Sequence, residues 1–131
     1  MKKEIDKLGN IFYYNENNKL HREDGPASEY LNRYKEWHKD GLRHRENGPA
    51  IEYADGTKYW YKNGKRHRED GPAIELANGG KFWFKNGKLH REDGPAEYVD
   101  GDKKYWYNDI NYPEIETDEE WIRFIKLIIF K

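Results

Sequence analysis

Short β-prone bursts, rich in aromatic residues, punctuate an otherwise polar chain, and the clearest is Thr57-Lys58-Tyr59-Trp60-Tyr61-Lys62. Side chains alternate along a strand, so this run reads as a strand with Trp60 on one face and Tyr59 and Tyr61 on the other. It leads into Asn63-Gly64, a pair that tolerates positive φ at both positions and predicts a two-residue hairpin turn. Asn86-Gly87 and Asp40-Gly41 repeat the signal. The return strand begins at Lys65-Arg66-His67-Arg68 and is interrupted by Glu69-Asp70-Gly71-Pro72, where Asp closes a local turn, Gly bends freely and Pro withholds a ladder N–H. A bulge or corner is expected there. Ala73-Ile74-Glu75-Leu76 resumes the strand, and Asn78-Gly79, like Asp55-Gly56 before it, turns the chain into the next Trp strand. Each unit is a hairpin with one kinked arm.

The bursts recur at a fixed step. Trp37, Trp60, Trp83 and Trp106 are 23 residues apart, as are Pro26, Pro49, Pro72 and Pro95, and His21, His44, His67 and His90. One spacing shared by three rare residue types is the signature of a repeat array, with no insertion expected to break the register. A single unit cannot bury its apolar side alone, so the hairpins must stack on one another. The predicted fold class is all-β: a single elongated, twisted antiparallel sheet of stacked β-hairpins, closed by a short C-terminal helix. One domain spans 1–131, with a degenerate half unit at 1–16, repeats at 17–39, 40–62, 63–85 and 86–108, and a terminal hairpin and helix at 109–131. In the half unit, Phe12-Tyr13-Tyr14-Asn15 falls where Tyr59-Trp60-Tyr61 falls, and Asn17-Asn18 where Asn63-Gly64 falls. At the other end Pro113 stands where His is expected, and Thr117 with Glu120 forms a capping-box pattern ahead of Trp121, Ile122, Phe124, Ile125, Ile128 and Ile129 at helical spacing. The helix is expected to hide the last open strand edge, the alternative being a partner-binding element.

Composition sharpens this picture. Charged residues reach 37% against 35% hydrophobic ones, so the 16% of aromatic residues must carry the core. With 24 basic and 25 acidic residues the net charge is -1, and no long-range attraction to polyphosphate is built in. The absence of cysteine excludes disulfides, thiolate metal sites and thiol nucleophiles. The N-terminal Met1-Lys2-Lys3-Glu4-Ile5-Asp6 has no apolar leader character, and the longest apolar run, Leu127-Ile128-Ile129-Phe130, is too short to span a bilayer. A soluble cytoplasmic protein without membrane contact is the expectation.

The run from Tyr53 through Asp55-Gly56, Tyr59-Trp60-Tyr61 and Asn63-Gly64 to His67 resembles MORN repeats, which share the 23-residue period. Where those repeats carry a short Gly-x-Gly segment, this chain has Arg68-Glu69-Asp70-Gly71-Pro72-Ala73. The His-Arg-Glu-Asp-Gly-Pro-Ala form looks like the MORN-like variant of many uncharacterised proteins of tailed phages and giant viruses, which often end in a capping helix. The likeness covers residues 11 to about 113. It implies a stacked-hairpin sheet with a binding or scaffolding role and no common activity to transfer. A viral source would make a host protein, such as a defence factor to be inhibited or sequestered, the expected partner, in the host cytoplasm.

The copied polar motif His-Arg-Glu-Asp contains every residue type a hydrolase or metal site needs. Equivalent positions in stacked two-stranded units lie about 9–10 Å apart, whereas zinc-bound nitrogens sit at about 2.0–2.1 Å from the ion, so two copies of the His cannot share a metal. A catalytic site is a unique constellation, and a motif copied four times is what the fold itself requires. No catalytic residue, metal site or cofactor is expected, and the chain reads as non-enzymatic. Arg22, Arg45, Arg68 and Arg91 beside aromatic stripes suggest an alternative, nucleotide or single-stranded nucleic-acid binding, if arginine and tyrosine share a concave face with the carboxylates turned away. Specific function should reside where units differ. The candidate contact surface comprises Tyr30, Tyr34, Trp37, His38, Tyr59, Tyr61, Phe82, Phe84, Tyr105 and Tyr107, because aromatics anchor interfaces. The expected partner is another protein, with homodimerisation through an end of the sheet as a further option.

Overall fold

A computed structural model describes residues 1–129. The fold is all-β with one helix, and it is built from the expected hairpins. The first hairpin pairs β1 (Lys2–Ile5) with β2 (Ile11–Tyr14). The chain then runs through the same course four times. It gives β3 (Ser28–Glu29), β4 (Lys35–Glu36), β5 (His38–Lys39) and β6 (Leu42–Arg43), then β7 (Ile51–Glu52), β8 (Lys58–Tyr59), β9 (Tyr61–Lys62) and β10 (Lys65–Arg66). The third course is β11 (Ile74–Glu75), β12 (Lys81–Phe82), β13 (Phe84–Lys85) and β14 (Lys88–Leu89). The last is β15 (Glu97–Val99), β16 (Asp102–Lys104), β17 (Trp106–Tyr107) and β18 (Ile110–Asn111), followed by α1 (Asp118–Ile129).

The strand through each Trp changes partner at the Trp. Its first half joins a ten-stranded antiparallel sheet, ordered β1-β2-β3-β4-β7-β8-β11-β12-β15-β16, while its second half forms a two-stranded ladder with its own return strand. At the changeover the Trp60 N–H donates to Ala73 C=O at 2.7 Å and its C=O accepts from His67 at 3.2 Å, so no backbone group is lost. Trp37 and Trp83 do the same. Ala27, Ala50, Ala73 and Ala96, the acceptors or their equivalents, are fully buried.

Cross-strand pairing sorts the large sheet into two faces. Glu29, Lys35, Glu52, Lys58, Glu75 and Lys81 stand opposite one another in sequence, an alternating-sign row on the same face as the Trp residues. The next row, on the other face, runs Phe12, Ser28, Glu36, Ile51, Tyr59, Ile74 and Phe82, and supplies buried Ile51 and Ile74. Tyr61 joins Ala50 and Ile51 in that core, with Tyr34, Trp37 and Tyr59 against it.

Turn chemistry matches the sequence. Asp40-Gly41, Asn63-Gly64, Asn86-Gly87, Asp100-Gly101 and Asn108-Asp109 all take positive φ at both positions. The turns 6–10, 30–34, 53–57 and 76–80 share a second pattern, in which the fourth residue is left-handed: Gly9, Arg33, Gly56 and Gly79 at φ 94°, 72°, 96° and 95°. Arg33 therefore occupies a glycine position.

Two one-residue changes of turn length shift the register at the ends, contrary to the expected unbroken step. The turn 15–19 has one more residue than its counterparts, so Tyr13, not Tyr14, donates to Ala27 and accepts from His21 as a Trp would. The turn at Asp100-Gly101 is correspondingly short, and Tyr105 takes the Trp place, its C=O accepting the Tyr112 N–H. Tyr112 thus sits at the His position and Pro113 at that of Arg, one residue from the sequence expectation.

Thr117 caps the helix as expected, the Glu120 N–H donating to Thr117 Oγ1 at 3.2 Å, while the Glu120 carboxylate accepts from the Thr117 hydroxyl at 3.1 Å. Trp121 and Ile125 of α1 are buried against Tyr105, with Tyr112, Ile115, Phe124 and Ile128 around them. Trp121 Nε1 donates to Arg91 C=O at 2.8 Å, and Tyr105 Oη donates to Asp118 at 2.6 Å. The helix therefore covers Tyr105 and the last hairpin. It does not hide the outer edge of β16, whose residues stay exposed, because the ring left without an arginine is the larger apolar surface to bury.

The left-handed turn position gives a paired prediction. No atom lies within 4 Å of a Cβ added at Gly56, so Gly56→Ala tests backbone conformation alone and should lower stability by about 1–2 kcal/mol. Arg33→Gly should raise it, by about 0.5 kcal/mol after glycine's own entropic cost. Chemical denaturation of the two variants reads both signs.

Candidate binding surface

The copied motif is bound up in the fold, residue by residue. Arg68 lays its guanidinium on Trp60, Cζ 3.9 Å from the ring centroid, and Arg45 on Trp37 and Arg91 on Trp83 repeat the stack at 3.9 and 4.0 Å. Arg22 uses Tyr13, at 4.0 Å. The Arg68 guanidinium also donates Nη1–H to Pro72 C=O at 3.1 Å and to Glu75 at 2.9 Å. Its other side is closed by Gly71, where a Cβ would lie 3.0 Å from Arg68 Cζ. Gly25, Gly48 and Gly94 meet their arginines at 2.9 to 3.0 Å in the same sense. Glycine is required because the cation fills the space of a side chain.

The histidines join one unit to the next. His44 Nδ1 accepts the N–H of Asn63 at 2.9 Å, which puts the ring proton on Nε2, 2.7 Å from Glu46 Oε1. His67 repeats this with Asn86 and Glu69 at 2.9 and 2.7 Å, and His21 with Asp40 and Glu23 at 2.9 and 2.8 Å. The bond from His holds the Glu46 and Glu69 carboxyls below the ordinary glutamate range. That contribution is present above that range and is lost as pH falls below it, through the depressed values of the folded chain. Among the described residues no three His, Asp or Glu side chains are grouped to hold a metal ion.

Between successive motif loops lie three equivalent grooves of about 530, 590 and 630 Å³. In one of them Trp83 and Phe84 form part of the wall, with Glu69, Asp70, Glu92 and Asp93 alongside. Asp70 and Asp93 are 89% and 81% exposed, so the carboxylates flank the stacked arginines and face solvent.

The second surface is aromatic. On the face opposite the Trp residues, Phe12, Tyr30, Tyr34, Tyr53 and Tyr59 form a chain of ring contacts with centroids 5.6, 5.3, 4.9 and 5.6 Å apart. A shallow concavity of about 520 Å³ opens over Tyr34 and Tyr53, bounded by Asn32, Ala54 and Asp55. Tyr53, 40% exposed, is the most open ring among the described residues.

The expected contact residues divide accordingly. Tyr30, Tyr34 and Tyr59 fall in the ladder. Trp37 is half-buried beneath Arg45, Phe82 is half-buried beside Ile74, Phe84 lies under Arg66 at 5.4 Å, and Tyr107 packs on His90 at 4.6 Å. His38, Tyr61 and Tyr105 are buried, only 8%, 8% and 1% exposed, and are withdrawn from any contact surface. Their positions on the second half of the Trp strand, or under α1, point them into the core. Phe12 and Tyr53 were missed. Tyr53 lies 23 residues after Tyr30, so the repeat step marks it.

The first full unit differs inside as well. Ser28 stands where Ile51 and Ile74 stand, Glu36 where Tyr59 and Phe82 stand, and His38 where Tyr61 and Phe84 stand. Arg43 Nε donates to buried Glu36 at 2.8 Å, while Ser28 Oγ and His38 Nδ1 have no hydrogen-bond partner. Burial pushes the His38 pKa below its ordinary value, Glu36 opposing and Arg43 reinforcing the shift. Burial and the Glu36 carboxylate raise that of Tyr34.

The unfolded chain protonates His38 near its ordinary value of 6.5, and the folded chain only at lower pH, so stability falls as pH drops below that value. His38→Phe, with the side chain found at Phe84, removes this loss. The melting temperatures of parent and variant should diverge steadily as the pH is lowered from neutral, with the variant the more stable.

No family model, curated protein or solved structure matches this chain, so its site rests on geometry alone.

Proposed function

We propose that this chain is a non-enzymatic binding module that engages another protein through the tyrosine ladder of its N-terminal half. The observation that carries this reading is the division of labour among residues. Each copied Arg and its Gly close a stack, His21, His44 and His67 bridge to the following unit, and the residues that break the pattern gather around Tyr30, Tyr34 and Tyr53. Tyrosine supplies large, rigid contact area with a polar tip, and rings already packed on one another lose little freedom on binding. A MORN-like, virally encoded binder of a host protein fits this reading.

The nucleic-acid alternative is less well supported. The stacked guanidiniums are shared among an indole, a carbonyl and carboxylates, and exposed Glu and Asp rim the grooves where phosphates would run. The ladder tyrosines lie on the opposite face of the sheet from these arginines.

The module is tested by capture from host lysate with and without nuclease, followed by titration of the partner recovered. Tyr34→Ala with Tyr53→Ala should weaken binding by at least ten-fold, about 1.4 kcal/mol or more, as for a lost interface anchor. Lys58→Ala, on the opposite face, serves as the control and should leave affinity unchanged. Equal losses for both, or loss of capture on nuclease treatment, would overturn the reading.

A further inference from the structure

Strands of two kinds alternate across the large sheet. One kind precedes the five-residue or shorter turn and carries the buried Ala position (β3, β7, β11, β15); the other follows it and leads into the Trp position (β2, β4, β8, β12, β16). β1 belongs to the first kind. It enters the turn 6–10 as β7 enters 53–57, and pairs Glu4 with Phe12 as Ile51 pairs with Tyr59. The sheet therefore starts with a strand of the first kind and ends, at β16, with one of the second. These two edges are complementary, because every internal junction such as β8 to β11 or β12 to β15 joins a strand of the second kind to one of the first.

Two further observations point the same way. Residues of β1 and β16 are all exposed, and each strand has a neighbour on one side only. Exposed large apolar side chains also concentrate at the ends. Ile5 and Leu8 lie in the first hairpin, Leu31 packs over Gly9 of its turn, and Ile110, Ile122 and Leu127 lie on the last hairpin and α1. A repeat array that ends as a monomer needs polar outer faces.

We propose that copies of this chain add head to tail, with β1 of one copy continuing the sheet at β16 of another. In the register of the internal junctions Lys104 faces Glu4. Pairing of like edges is disfavoured by the same residues. Two β1 strands or two β16 strands would place strands of one kind together and bring lysines 2 and 3, or 103 and 104, against their own copies. The contact is heterologous, so it does not close at two chains. It is also narrow and lysine-bearing, which makes it weak and dependent on protein concentration and salt.

Sedimentation velocity of the full chain across a wide concentration range, at low ionic strength, tests this. The mean mass should rise from the 15.8 kDa of one chain past that of two without a plateau. Glu4→Lys alone and Lys104→Glu alone should each shift this growth several-fold to higher concentration. An equimolar mixture of the two variants should recover it, because every junction between unlike variants again pairs opposite charges, and that recovery also shows both are folded. A mass fixed at one chain, a plateau at two, or a mixture no better than its components would overturn the proposal.

Discussion

A guanidinium lying flat on an indole is the joint on which the array depends. The Trp residue marks where a strand leaves the large sheet for its own hairpin, and at such a changeover a ring would stand half uncovered. Arg68 closes it, anchored to Pro72 C=O and Glu75, and Gly71 leaves room for the cation. Cation–π attraction is worth about 0.5–2 kcal/mol and charge-assisted hydrogen bonds more than neutral ones, so one arginine ties the motif loop, the Trp strand and the following strand together. Lysine, a point charge without a planar face, could not make the same joint.

The ends of the chain show what happens when the joint is altered. At Tyr13 a phenol replaces the indole and the arginine remains. At Tyr105 the arginine is gone, Pro113 standing in its place, and Trp121 of α1 lies on the ring instead, with centroids 5.5 Å apart. The helix is thus an aromatic substitute for a motif loop. Because it meets the face of Tyr105 rather than the edge of β16, the sheet is capped over its last ring and left open along its last strand.

The two faces of the sheet differ in kind. Alternating Glu and Lys with the stacked Trp–Arg pairs occupy one face of the sheet, while the other holds the core row and the ladder from Phe12 to Tyr59. The first full unit breaks its own core with Ser28, Glu36 and His38, at a cost that leaves two buried polar atoms unpaired. Ser28 and Glu36 lie on the same face of the sheet as Tyr30 and Tyr34, so the least regular part of the core adjoins the ladder.

Much of this was legible in the sequence. The step of 23, the Asn-Gly turns and the Thr117 helix cap are local signals, and each appears where local backbone chemistry requires it. Of the ten residues expected at a contact surface, three, Tyr30, Tyr34 and Tyr59, lie on the ladder. The misplacement of His38, Tyr61 and Tyr105 has a single cause. Alternation assigns a side chain to a face, but says nothing of whether another part of the chain covers that face. Sequence also could not reveal that one residue gained at 15–19 and one lost near Asp100 slide Tyr13 and Tyr105 into Trp positions, because register is set by hydrogen-bond pairing across strands. The sequence by itself determined the repeat, its turns and the kinds of strand that alternate. Only the tertiary structure decided which rings are covered, which strand edges stay open and where the arginines lie, because those depend on contacts between residues far apart in the chain.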